Sequence, residues 1–330
     1  MLELVVDHLL DIVTWVVILG GVGFVIATLV GSSRKSKDKE QVEITDLSRD
    51  LEEDQFEFLQ TMGQIGESAS FKYKVKKTGG HLFVLDFIGS VDASEVDLLR
   101  NEITSLLSVI NKEQDEILIR LNSGGGVVNG YGLVASQIDR IRKHGVKVTA
   151  AVDEVAASGG YMAACVADRI IAAPFAYIGS IGVVSAFPNF SNLLDRFGIQ
   201  YKEYTAGESK RLISQYREIS KKDEDEYKKE LEETHESFIN HVSTYRNFET
   251  RPEGVFTGKH WLASEALDLG LVDEIMTSDE YIESFHNNAD KGAVFKVSTK
   301  VPRDPSRYFD KFFKVAINNI SSLIKSRLRF

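Results

Sequence analysis

Cysteine is nearly absent. A single residue, Cys165, in a chain of 330 excludes an intramolecular disulfide and leaves no cysteine cluster to hold zinc. A chain without disulfides is at home on either side of a membrane, so the compartment stays open. Positive charge is also in deficit: 39 Lys and Arg face 49 Asp and Glu, a formal net charge of −10. That balance offers no electrostatic footprint for nucleic acid, and nucleic-acid binding is set aside. The glycine-rich stretches contain no Walker A loop, the histidine pair in HESFINH lacks metal-ligand spacing, and no internal repeat recurs.

What the chain does have begins with one long charge-free run. Residues 12–30 read IVTWVVILGGVGFVIATLV, which as a helix would be about 28 Å long, close to the hydrocarbon thickness of a bilayer. A cleaved signal peptide would want a basic leader and a shorter apolar stretch. Here the leader carries Glu3, Asp7 and Asp11, while Arg34, Lys35, Lys37 and Lys39 come afterwards. The expectation is an N-terminal transmembrane helix within residues 1–31, retained as an anchor rather than cleaved. Basic residues after the span favour a cytoplasmic position for the remainder, but large domains translocate regardless of such charges.

The rest has the composition of a globular protein with a sizeable core, 43% hydrophobic and 27% charged. Residues 32–70 read as a charged tether followed by a short acidic helix. From Phe71 to Pro174 strand-like and helix-like stretches alternate. HLFVLDFIG (81–89), EILIRLN (116–122) and VKVTAAV (146–152) read as buried strands; SEVDLLRNEITSLLSVI (94–110) and VVNGYGLVASQIDRIRKHG (127–145) read as helices. That order predicts an α/β fold with parallel pairing, and puts the turns SGGG (123–126) and EVAASGG (154–160) on one rim of the sheet. Residues 155–188 are apolar enough to mimic a second span, but Asp168 and Arg169 would be costly in lipid, so this is expected to be core. A long charged helix is expected over 220–248, with Tyr227, Leu231, Phe238, Val242 and Tyr245 on one packing face. The last stretch, 307–330, is a basic amphipathic helix suited to an anionic membrane surface or a partner subunit.

Four features bear on chemistry, and each has an ordinary reading. Ser158 begins a helix after a strand with Gly159 and Gly160 behind it; alone, it is a serine N-cap. A hydroxyl there is also placed to attack a carbonyl while a neighbouring N–H receives the oxyanion. The glycines of SGGG let backbone amides approach a ligand closely. Ser180, between Gly179 and Gly182, is by default a turn serine. A nucleophilic serine needs a base, and lysine serves where burial lowers its pKa from about 10.4 towards neutrality. Composition and periodicity do not say which lysine.

Taken in order, NSGGGVVNGYG, AASGGYMAACVAD, AYIGSIGVV, EYTAGESKRL and VFTGKHWLASEALDLGLVDEI resemble the serine–lysine signal peptide peptidase (protease IV) family over about residues 70–280. The resemblance implies a ClpP–crotonase-like fold, a repeated β-β-α spiral, over 71–285, with a linker over 286–306. It implies a membrane-anchored serine endopeptidase with no metal or organic cofactor, acting on signal peptide remnants or envelope and membrane proteins. By motif, Ser158 matches the nucleophile, Lys210 the general base and Ser180 the serine that orients the lysine. Gly125 and Gly159 match the oxyanion-hole amides. Gly124 stands where relatives usually have proline, which leaves the choice of donor between Gly125 and Gly126 open. Because a lysine base needs surroundings free of carboxylates, Asp153 and Glu154 are expected to point away from it. The resemblance also implies a homo-oligomer. A crotonase-type acyl-CoA enzyme and a non-catalytic membrane scaffold are the competing readings.

Overall fold

The computed structural model describes residues 41–75, 79–207, 210–246, 248 and 254–300. The expected anchor over 12–30 and the expected helix over 307–330 lie outside the described residues. Among the described residues no helix is long and apolar enough to cross a membrane.

Residues Val42 to Ser298 form one compact unit. Its centre is a sheet of β1 (Gln41–Asp46), β2 (Leu82–Ile88), β3 (Glu116–Asn122), β4 (Lys147–Val152), β6 (Arg169–Ala172), β9 (Glu274–Ile275) and β10 (Val294–Lys300), ordered β1-β10-β2-β3-β4-β6-β9. From β10 to β9 every pairing is parallel, with Leu82 opposite Glu116 and Ile117 opposite Val148. Strands covered on both faces carry near-continuous apolar runs, which is why LFVLDFI and EILIRLN do not alternate.

One face packs on α2 (Val96–Leu107) and α3 (Val128–His144), through Leu99, Ile103 and Leu106 and through Tyr131, Val134, Ile138 and Ile141. The residues recur at helical spacing, so each helix presents one apolar stripe. Gly145 ends α3 in the left-handed conformation at φ 88°, its N–H closing on the Arg142 carbonyl. The opposite face is covered by α8 (Ser278–Asn287), which packs Tyr281, Ile282 and Phe285 on Leu82, Leu118 and Ile171.

A smaller sheet, β5 (Val155–Ala157), β7 (Tyr177–Gly179) and β8 (His260–Leu262), stands beside the first. The chain alternates between the two. β4 lies in the large sheet, β5 in the small one, and α4 (Gly159–Ala164) follows; β6 and β7 repeat the step, and then comes α5 (Ser191–Arg196). The long helix is α6 (Lys221–Tyr245), capped by Ser220 accepting from the Asp223 N–H at 3.1 Å. The remaining helices are α1 (Leu47–Thr61) and α7 (Ala263–Asp268).

Three expectations are corrected. Within the expected tether and short helix of residues 32–70 the helix is present as α1, but β1 takes the sheet edge and Ser48 of α1 is buried, accepting the Val294 N–H at 2.9 Å. The linker expected over 286–306 contains β10, which pairs with β2, so the folded unit does not stop at residue 285. Of the expected packing face of α6, Phe238 and Val242 are buried and Tyr245 packs half-buried on the core, whereas Tyr227 lines an open cavity instead.

Candidate active site

Ser158 sits where β5 hands over to α4. The small sheet fixes its approach: Ala157 pairs with Gly179, and the Ser158 N–H donates to the Gly179 carbonyl at 2.8 Å. Ser158 has φ 51° and ψ −121°, a backbone region that a side chain resists. Among the described residues only Ala93, Ser158 and Ser180 are non-glycines with positive φ. Two of these three are the serines singled out by motif. The ordinary reading of Ser158 as an N-cap does not hold, since its side chain makes no capping hydrogen bond. Ser158 lines a small cavity at this strand-to-helix turn, and strained turns of this kind occur at nucleophile elbows.

The glycine turn is brought to Ser158 by an extension of β3. Ser123 bridges to Ala156; its N–H reaches the Val155 carbonyl at 2.8 Å, and its carbonyl accepts the Ala157 N–H at 3.1 Å. Gly125 then lies flat against the Ser158 turn. With φ 90° it suits glycine, and a β-carbon there would stand 2.5 Å from the Gly159 nitrogen and 2.8 Å from Ser158 Cβ. The Gly125 N–H itself donates to Ser123 Oγ at 3.1 Å. Gly126, Ser158 and Gly159 line one small cavity of about 80 Å³, closed by Met162, Gly182 and Phe238. Ser180 follows Gly179 directly, with its N–H held by the Lys259 carbonyl at 2.7 Å. Ser158, Ser180, Gly125, Gly126 and Gly159 therefore converge.

Lys210 does not line the Ser158 cavity. It is exposed and lines a separate cavity of about 550 Å³ with Phe187, Leu212, Tyr227 and Glu230. Its loop is held by Arg217, whose guanidinium donates to the carbonyls of Arg211 (2.7 Å) and Leu212 (2.8 Å) and pairs with Asp223 at 3.1 Å. A third cavity, about 500 Å³ between α3 and α6, adjoins the Ser158 cavity and shares Val128, Met162, Thr234 and Phe238 with it.

A model of Peptidase family S49 matches residues 140–291, and one of Peptidase family S49 N-terminal matches residues 2–138. "Probable protease SohB" of Haemophilus influenzae is 48% identical over 205 residues, which cover 61% of this chain and 56% of that protein. "Probable protease SohB" of Buchnera aphidicola subsp. Schlechtendalia chinensis is 46% identical over 213 residues, 64% of this chain and 69% of that protein. The chain belongs to peptidase family S49. Within the family it is of the SohB type; "Protease 4" of Haemophilus influenzae is more distant, 29% identical over 184 residues that cover 54% of this chain and 30% of that protein.

The electrostatics of this S49 site follow from where its charges are committed. Asp153 accepts the Ser278 N–H (2.8 Å) and hydroxyl (2.6 Å) at the start of α8, and Glu154 accepts from Asn122 Nδ2 at 2.9 Å. Neither carboxylate lines the Ser158 cavity. Cys165, one turn beyond Met162, is no rival nucleophile: burial pushes its thiol well above the ordinary range. Sequence reasoning passed over Ser123 and Tyr131. Ser123 and Tyr131 lie inside the quoted NSGGGVVNGYG motif, but their burial and mutual contact belong to the fold. His235 sits beside Thr234 on α6, its Nε2 3.1 Å from the Ile181 carbonyl.

Proposed function

We propose that the chain is a serine endopeptidase in which Ser158 is the nucleophile and Lys210 the general base. The observation that carries the reading is the strained backbone of Ser158, whose hydroxyl caps nothing and opens on a cavity lined by Gly126 and Gly159. In the reaction, Ser158 Oγ attacks the peptide carbonyl carbon as its proton passes to the lysine amine. Negative charge on the former carbonyl oxygen meets backbone N–H groups. Collapse of the tetrahedral adduct breaks the C–N bond, and the lysine returns the proton to the leaving amine. Water, deprotonated by the same amine, then hydrolyses the ester to free Ser158.

Gly159 and Gly126 are the oxyanion donors in this reading. The Gly125 N–H is already given to Ser123, so the role of Gly125 is to lie flat and keep the Gly159 amide uncovered. Ser180 shares the strand end with Ser158 and orients the lysine once it arrives.

Because Lys210 and Ser158 open on different cavities of one chain, the lysine comes from a neighbouring copy. The segment that carries it supports an assembly. α5 buries no residue, and Val184, Phe197 and Tyr204 are 87%, 72% and 90% exposed. Apolar surface of that extent on one arm calls for a partner. The fold reading is ClpP–crotonase-like, supported by the chain's alternation between large and small sheets. Residues 12–30 anchor the enzyme in the bacterial inner membrane, which makes signal peptide remnants and membrane or envelope proteins its substrates.

The test is hydrolysis of casein by the full chain in detergent, beside Ser158→Ala and Lys210→Ala. Loss of activity in both folded variants is expected. Activity surviving either substitution removes that residue from its role.

A further inference from the structure

One buried side chain touches Gly159 and, through Ser123, reaches the glycine turn. Tyr131, in the first turn of α3, has no exposed surface. Its ring lies under the nucleophile turn, so that a β-carbon on Gly159 would stand 2.5 Å from Tyr131 Cγ. Phe87 backs the ring edge-on at 6.3 Å. At its other end, the Tyr131 hydroxyl donates to the Ser90 carbonyl at 2.7 Å and meets Ser123 Oγ. Ser123 is 3% exposed; its oxygen accepts the Gly125 N–H, and the Gly89 carbonyl lies 3.1 Å away as a second acceptor for its proton.

Each hydroxyl has one proton, which orders the contacts into a chain. The Gly125 N–H donates to Ser123, Ser123 donates to Tyr131 or Gly89, and Tyr131 donates to Ser90. Burial, the largest influence on the phenol, pushes its pKa up, so Tyr131 keeps its proton at neutral pH. Buried networks of this kind are rigid when every member is satisfied.

We propose that Tyr131, through Ser123, is the positioning residue of the oxyanion hole. Its hydroxyl end draws the Gly125 N–H inward and so fixes the next peptide plane, with the Gly126 N–H left for the substrate oxygen. Its ring sets the height of the Gly159 N–H on the other side. One side chain therefore fixes the spacing of the two donors. The inference rests on the reading of Ser158 as nucleophile.

The experiment compares full-length wild type, Tyr131→Phe, Ser123→Ala and the double variant in detergent. It measures kcat and KM on a fluorogenic peptide derived from a casein cleavage site, with Ser158→Ala as control. Tyr131→Phe keeps the ring and removes only the hydroxyl. Loss of a whole oxyanion donor lowers kcat about 10²–10³-fold, so a displaced donor is expected to lower it about 10–100-fold with KM little changed. A peptide aldehyde, to which Ser158 adds to give a tetrahedral hemiacetal, should lose affinity by the same factor, while an uncleavable D-residue analogue of the peptide binds as before. The double variant should lose no more than the worse single variant, since both substitutions break one chain. A folded Tyr131→Phe with wild-type kcat and aldehyde affinity overturns the proposal. So does an equal loss of affinity for the aldehyde and the analogue, which is what a merely structural role predicts. If Tyr131→Phe does not fold, the same two comparisons on Ser123→Ala decide in the same way. Peptidase activity persisting in Ser158→Ala is a different failure: it removes the nucleophile reading itself, whatever Tyr131→Phe does.

Discussion

Replacing Ser158 by glycine should make the protein more stable than replacing it by alanine. The reason is confined to the backbone. At φ 51° and ψ −121° any side chain crowds its own peptide groups, and glycine alone is relaxed there. Residues held in such regions store about 1–3 kcal/mol. Glycine's freedom in the unfolded chain takes back about 0.4–1 kcal/mol. The net advantage of glycine over alanine is therefore about 0–2.6 kcal/mol and centred near 1.3 kcal/mol, a few degrees in Tm at about 2–4 °C per kcal/mol for a domain of this size. No hydrogen bond confuses the comparison, because the Ser158 side chain caps nothing and neither substitute adds a polar atom. Urea unfolding in detergent, followed by tryptophan fluorescence, gives both midpoints without any substrate. Trp261, in contact with Gly179 on the neighbouring strand, is a local reporter. Equal midpoints, or a more stable alanine variant, would mean that Ser158 is not strained, and the observation that carries the peptidase reading would go with it.

Two further outcomes follow from the geometry. If the lysine comes from a neighbouring copy, inactive Ser158→Ala and Lys210→Ala chains mixed by co-expression should recover activity, since about a quarter of the sites in a random ring pair an intact serine with an intact lysine; assembled mixtures that stay inert exclude the shared site. Glu116 is buried, and although burial raises its pKa, hydrogen bonds from Lys291 (2.6 Å) and Lys147 (3.0 Å) outweigh this and hold it below the ordinary value. A carboxylate depressed in the folded state adds stability above its unfolded pKa of about 4.3 and loses it as pH falls through the folded value. Glu116→Gln should thus cost about 1.5–3 kcal/mol at pH 7, with the gap closing below about pH 4 in urea titrations; a pH-independent cost would refute the pairing.

Much of the fold was legible because local patterns agreed with tertiary burial. The runs at 82–88, 116–122 and 147–152 are strands buried on both faces, and Gly145 ends α3 where the apolar stripe ends. The legibility failed where an element holds its place only by pairing. QVEITD and VFKVSTK alternate weakly and carry charge, and nothing local says that they add to the edge of a sheet built elsewhere in the chain. Site residues followed the same division. Ser158 and Ser180 stood out by their small neighbours, but their strained φ angles arise from pairing with Gly179 and Lys259. Gly125 was assigned as a donor by position in the motif. Only the fold reveals that Ser123 occupies its N–H.

The separation of Ser158 from Lys210 changes what an isolated chain can do. Strain at Ser158 persists only because the surroundings over-determine it: the Gly179 carbonyl holds its N–H, Gly125 presses on its Cβ side, and Tyr131 supports Gly159 from below. All three constraints lie inside the compact unit, so Ser158 and the neighbouring amides are preorganised within a single chain. Lys210 is held differently, on an exposed loop pinned by Arg217 to the start of α6. In the proposed reading, one half of the chemistry is thus rigid in every copy and the other is delivered by assembly. An unassembled chain would present a cavity with a serine, two amides and no base. On that reading proteolysis would be confined to the oligomer, and the mixing experiment and the Ser158→Gly comparison address its two halves independently.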